Sequence, residues 1–172
     1  MANPRLGTVN NLTPASSSAP AGTYDLNFLG FPGGIWPTGG ITFDFGLEPT
    51  KITGLQKVAQ IFLKCFLSPL GSDALNPGYG TEFGSMLVNP VPNFSNGNQA
   101  MSIVEPSVQS AQGQVVSMTY SNPPASALKS VTTVSCTVVA GGLNLTLYIL
   151  TQAGAGAQIA IPQPQLNLQL AN

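Results

Sequence analysis

Apolar side chains recur at helical spacing through Leu55, Val58, Ile61, Phe62, Cys65 and Phe66, while Gln56, Lys57, Gln60 and Lys64 fall on the opposite face. A stripe of that width predicts an amphipathic helix that turns one side into a core. Thr53 stands where an N-cap belongs, and Pro69 with Gly71 ends the segment. Leu55, Val58, Phe62, Cys65 and Phe66 are the expected core positions. Each large apolar side chain contributes roughly 1.5–3 kcal/mol once covered, so packing and not intrinsic propensity holds such a helix. Lys57 and Lys64 are expected on the solvated side.

Period two takes over in the last third. Leu143, Leu145, Leu147 and Ile149 alternate with Asn144, Thr146 and Tyr148, and Gly141-Gly142 separates this run from Val131–Val139. The uncharged stretch from Val131 to Thr151 is long enough for a membrane helix, but its threonines, Ser135 and the glycine pair argue for a β-hairpin. Further strands are expected over Gln114–Tyr120, Gln158–Ile161 and Gln165–Leu170. Toward the front, Tyr24–Phe31 and Ile41–Phe45 read as short strands among Gly- and Pro-rich turns. Phe83–Val88 reads as a short helix, Asn89–Gln99 as a polar loop, and Ala100–Val104 as a return to apolar spacing. Residues 1–22, rich in Pro, Ser, Ala and Asn, predict an extended or disordered arm that orders on a partner. The reading is therefore α+β: one amphipathic core helix and short helices on a small, mainly antiparallel C-terminal sheet. The arm occupies 1–22, a single domain 23–164, and a terminal strand or tail 165–172.

Composition narrows the chemistry. The 172 residues suit one core, and 43% are hydrophobic, yet only 6% are charged against about 25% in ordinary soluble proteins. Ser, Thr, Asn and Gln must build the surface. A net charge of -1 leaves no basic stripe for phosphates, so direct nucleic-acid binding is not expected. The chain has no histidine, which removes His-based triads, zinc sites and pH switches. Cys65 and Cys136 lie far apart without a CxxC spacing and read as half-buried free thiols in a reducing compartment, a single bridge between them being the alternative. Residues 154–157, Gly-Ala-Gly-Ala, lack a lysine and a following helix, so they read as a turn and not a phosphate loop. Asp25, Asp44, Glu48, Asp73, Glu82 and Glu105 are the only acid–base candidates. Carboxylates in turns more often cap backbone N–H groups than catalyse. No metal, cofactor, export signal or membrane anchor is expected.

Several pieces carry a resemblance in their order and spacing. They are the helix running into Phe66-Leu67-Ser68-Pro69-Leu70-Gly71, the turn Asn76-Pro77-Gly78-Tyr79-Gly80, and Glu105-Pro106 ahead of a strand pair. Over residues 41–151 the chain resembles the baseplate-wedge and sheath-initiator proteins of contractile-tailed bacteriophages, a family historically labelled lysozyme-like. Ser72 stands where many members have Glu, and Ser107 where the Glu-Pro-Arg motif of the family has its Arg. The resemblance implies a non-enzymatic virion protein that is assembled in the host cytoplasm and sits in the tail baseplate as multiple copies in a symmetric ring. Its implied partners are baseplate wedge proteins, the tail sheath protein and tail tube proteins. Glu105, Pro106 and Ser107 become the implied wedge interface, although Ser cannot form the bidentate ion pair of an Arg. Sheath assembly in such a protein would proceed by strand addition to a sheet edge. The implied sheath interface is Leu143, Leu145, Leu147, Leu166, Leu168 and Leu170. Two other readings compete: a cell-wall-degrading enzyme, which needs a carboxyl pair in a cleft, and a tail adaptor without a sheath-initiating role.

Overall fold

The central element is a helix, α1 (Gly54–Leu67), entered from an extended segment and surrounded on most sides. The computed structural model describes residues 24–26, 51–88, 97–139 and 142–162. The expectations for the N-terminal arm, for Ile41–Phe45 and for Gln165–Leu170, including Leu166, Leu168 and Leu170, lie outside those residues. Strand β1 (Tyr24–Leu26) pairs antiparallel with β2 (Lys51–Thr53), which leads directly into α1. Helix α2 (Glu82–Val88) and helix α3 (Gly97–Thr119) follow, then a 3-10 turn at Pro124–Ser126. Strands β3 (Leu128–Val139), β4 (Gly142–Thr151) and β5 (Gly156–Pro162) form an antiparallel sheet in that order. The fold is α+β.

Thr53 precedes α1 in extended backbone, but its side chain makes no capping bond. Gly54 opens the helix at φ +56, a conformation that suits a residue without Cβ, and its N–H donates to Ser126 Oγ at 3.0 Å. The 3-10 turn thus supplies the cap from 72 residues away. Val58, Phe62, Cys65 and Phe66 are buried as expected, and Leu55 is half-buried against the same core. The opposite face departs from the expectation. Gln56 and Gln60 are buried and Lys57 is only 8% exposed, so of the four polar positions Lys64 alone is exposed. The reason is topological: α1 touches α2, α3, β4 and the 3-10 turn, and no wide flank is left for water. Phe62 and Phe66 stack at 5.7 Å, and Phe66 and Phe83 at 4.7 Å, joining α1 to α2.

The expected strand over Gln114–Tyr120 is instead the end of α3, whose first turn also takes Gly97–Gln99 from the expected loop. Ala100, Val104, Ser107, Val108, Ala111, Val115 and Thr119 are its buried positions, and they recur at three- and four-residue intervals. Small side chains let this helix lie close to α1 and β3. Pro106 sits inside it. A proline there removes one ladder donor and crowds the carbonyl four residues back, which is that of Ser102. Both residues are exposed, so the break in the ladder lies on the solvent side of the helix.

Along β4, residues 143, 145, 147, 149 and 151 point into the core and the intervening ones outward. β3 keeps the matching phase by two register shifts, at Leu128/Ser130 and Thr133/Ser135. The extra residue Val134 is half-exposed, and the bulge holds Thr133 and Cys136 opposite Leu147 and Leu145. No described helix is long and apolar enough to cross a membrane.

Candidate functional site

The triplet Glu105, Pro106 and Ser107 lies mid-way along α3, where consecutive residues point about 100° apart. Two of the three are engaged internally. Glu105 is half-buried; its Oε2 accepts from Thr133 Oγ1 at 2.9 Å and its Oε1 from Gln109 Nε2 at 3.4 Å, fastening α3 to β3. Ser107 is 3% exposed, and its Oγ accepts the Phe83 N–H at 3.1 Å. Phe83 is in the first turn of α2, so Ser107 satisfies a donor that has no partner within its own helix. The expectation of Ser107 as a docking residue is thereby corrected: packing against α2 buries its hydroxyl. Pro106 alone of the triplet is exposed.

Ser107→Ala should cost about 1–3 kcal/mol, the range for leaving a buried donor unpaired, read as a lower urea midpoint with unchanged slope.

The turn region 68–81 is tied to the same helix. Gln114 Nε2 donates to the Gly80 carbonyl at 2.9 Å, while its Oε1 accepts the Gly80 N–H at 3.2 Å and the Cys65 thiol at 3.3 Å. Gly80 has φ +98, and a Cβ there would stand 2.5 Å from the Pro69 carbonyl oxygen. Thr81 Oγ1 donates to the Phe66 carbonyl at 2.6 Å and accepts the Gly84 N–H at 2.9 Å, capping α2. Asp73 Oδ1 accepts the Leu75 N–H at 2.9 Å, the local turn bond expected of a carboxylate. At the outer end of this braced loop Leu75 is 97% exposed, with Leu70 half-exposed nearby.

Acid–base chemistry has little to work with here. Burial pushes the Cys65 and Cys136 thiols up from their ordinary range. Burial first, then the nearby Cys65 and Asp73 charges, push the Tyr79 phenol up to about 12. All three stay protonated near neutrality and are poor nucleophiles or bases. Both cysteines are unpaired thiols. No group of three potential metal ligands occurs among the described residues.

The sheet supplies a different kind of site. Leu143, Leu145 and Leu147, expected at a partner surface, are buried against the helices, and β4 is paired on both sides. Strand alternation identifies residues that share a face, but the helices packed on that face make it the inner one. Only β3 and β5 have outer edges. On β3, the outward Val131 N–H is taken by Gln112 Oε1 of α3 at 2.7 Å. At the other end, the first residue of α3 lies against the same strand: a Cβ on Gly97 would be 3.5 Å from the Cys136 carbonyl oxygen. Two bulges and these helix contacts make the β3 edge irregular. β5 has an unbroken register with β4 and no second strand among the described residues.

Its backbone orientation follows from the turn before it. The Thr151 N–H donates to the Ala155 carbonyl at 2.8 Å. In an antiparallel ladder bonded pairs recur every two residues, so Ala157, Ile159 and Ile161 bond to β4. Gly156, Gln158, Ala160 and Pro162 turn their main-chain groups outward. A proline at the last of these costs nothing, since no ladder donor is needed there.

No family model, no curated protein and no solved structure matches this chain.

Proposed function

We propose that this chain is a structural component of a contractile phage tail, a baseplate protein that links the wedge to the sheath and templates sheath assembly by strand addition on the β5 side. The observation that carries the reading is the asymmetry of the sheet: a β3 edge broken by two bulges with one outward N–H taken by α3, and a β5 edge of unbroken register, uncharged and without a second strand among the described residues. A neutral edge with regular main-chain donors and acceptors suits β-augmentation, where backbone bonds supply affinity and alternating pockets supply specificity. The element order also supports it, because a helix, a Pro-Gly turn, the Glu-Pro pair and an antiparallel sheet follow one another as the resemblance implies. Virion location, a ring of copies, and wedge, sheath and tube partners belong to the same proposal.

Within it, Pro106 is the wedge contact of the Glu-Pro pair. A proline in a helix interior costs about 3 kcal/mol, and this one is exposed, where Ala would restore the helical bond. Pro106→Ala should therefore raise the melting temperature while weakening incorporation into baseplates. A lowered melting temperature would show that the ring stabilises α3 by packing.

A chain ending after Pro164, or one carrying Leu168→Pro, should enter baseplates yet yield tubes without extended sheath. Normal contractile tails from both variants would overturn the sheath-initiating role and leave an adaptor. The lysozyme-like reading is disfavoured because Asp73 and Glu105 are spent on a turn and on the α3–β3 tie. The purified protein is expected to leave peptidoglycan suspensions turbid. Clearing that Glu82→Gln or Glu105→Gln abolishes would reverse that conclusion.

A further inference from the structure

The sequence beyond β5 continues the alternation that its outer edge, unpaired among the described residues, would accept. Residues 165–170 read Gln-Leu-Asn-Leu-Gln-Leu, and the last charged side chain of the sequence is Lys129, so neither edge nor tail carries charge that would oppose pairing. Every pairing in this sheet is antiparallel. Laid antiparallel on β5, this hexapeptide would put Leu166, Leu168 and Leu170 on the face of Ile159 and Ile161, both buried in the core. Gln165, Asn167 and Gln169 would then share the face of Gln158 and Ala160 and exchange main-chain bonds with their outward groups.

The sequence Pro162-Gln163-Pro164 does not suit a two-residue hairpin between β5 and residues 165–170. A two-residue hairpin at Gln163-Pro164 needs positive φ at its first loop position. Gln163 has a Cβ and precedes a proline, which biases it toward extended backbone. Pro162 and Pro164 each fix φ near -65°.

We infer that residues 165–170 of one copy add as a fourth strand to the β5 edge of a second copy. Each copy then gives one strand and receives one through different surfaces, a head-to-tail contact that closes into a ring when its rotation permits. The donated strand would cover the β5 edge and offer its own outer edge on that side, so a sheath strand would then add to the tail strand, while the exchange itself is tested with copies of this chain alone.

Sedimentation equilibrium over a concentration series tests it with full-length point variants. The unaltered protein should show a mass that is a multiple of 17.7 kDa. Asn167→Pro removes a tail donor aimed at β5 and leaves the edge intact, whereas Ala160→Pro removes an edge donor and leaves the tail intact. Each alone should associate at least tenfold more weakly, and an equimolar mixture should recover a one-to-one pair. Should Ala160→Pro fail to fold by circular dichroism, Leu168→Pro serves instead: its N–H faces away from β5, so it should associate more tightly than Asn167→Pro. A monomeric unaltered protein at every concentration, with the tail held in cis or awaiting another protein, would overturn the inference. So would association indifferent to Asn167→Pro.

Discussion

Phe62→Asp is expected to leave the protein largely unfolded at room temperature. Phe62 is fully buried and stacks on Phe66, which in turn stacks on Phe83 of α2. Truncating a buried Phe costs about 3–5 kcal/mol through lost transfer energy and the cavity left behind. An unpaired carboxylate at the same place adds a desolvation penalty, so the total reaches at least about 5 kcal/mol, comparable with the whole stability of many domains. Lys64→Ala, on the exposed part of the same helix, should stay within about 0.5 kcal/mol. Thermal melts of the two variants beside the parent check both statements. Equal melting temperatures for Phe62→Asp and the parent would mean that α1 presents a different face to the core.

Gly84→Ala should be nearly as damaging, although Ala is the better helix former by about 1 kcal/mol. A Cβ on Gly84 would overlap the Ser68 carbonyl group and lie 2.9 Å from the Leu67 carbonyl carbon. These are backbone atoms at the end of α1, and the Ser68 oxygen already accepts the Thr81 N–H at 2.9 Å. The clash can be relieved only by separating α2 from α1, which also opens the Phe66–Phe83 stack. A loss of about 3 kcal/mol is expected, at the upper end for overpacking. Gly113→Ala gives the opposite sign: Gly113 is exposed in α3 with nothing near its Cβ position, so a gain of about 0.5–1 kcal/mol is expected. Urea midpoints for the pair separate the steric argument from helix propensity.

Where local periodicity dominates, the sequence was legible. α1, α2 and the β3–β4 pair follow from apolar spacing and from glycine and proline punctuation. α3 was not, because its buried face is made of Ala, Ser and Val, whose hydropathy contrast is low, and because an interior proline and adjacent β-branched residues, Pro106 and Val115-Val116, have low helix propensity. The three- and four-residue spacing of Ala100, Val104, Val108, Ala111 and Val115 was the signal that could have found it. Lys57 was assigned to water because a helical wheel shows which residues share a side, not how many neighbours surround the helix. The tertiary ties were beyond local reading altogether. Ser107 to Phe83 and Gln114 to Gly80 span 24 and 34 residues, and each depends on α3 already being packed against α2 or the turn before it. The same holds for Leu143, Leu145 and Leu147: alternation grouped them correctly, and only the helices on their face decide that the group is internal.

The most direct measurement is electron cryomicroscopy of assembled contractile particles from cells that express this chain. We expect the α+β core in a ring of copies where baseplate meets sheath, with α3 toward the wedge and strands continuing the sheet on the β5 side. Particles whose sheath assembles fully without the chain, or a ring in which the β5 side faces solvent and β3 meets the sheath, would contradict the proposed role.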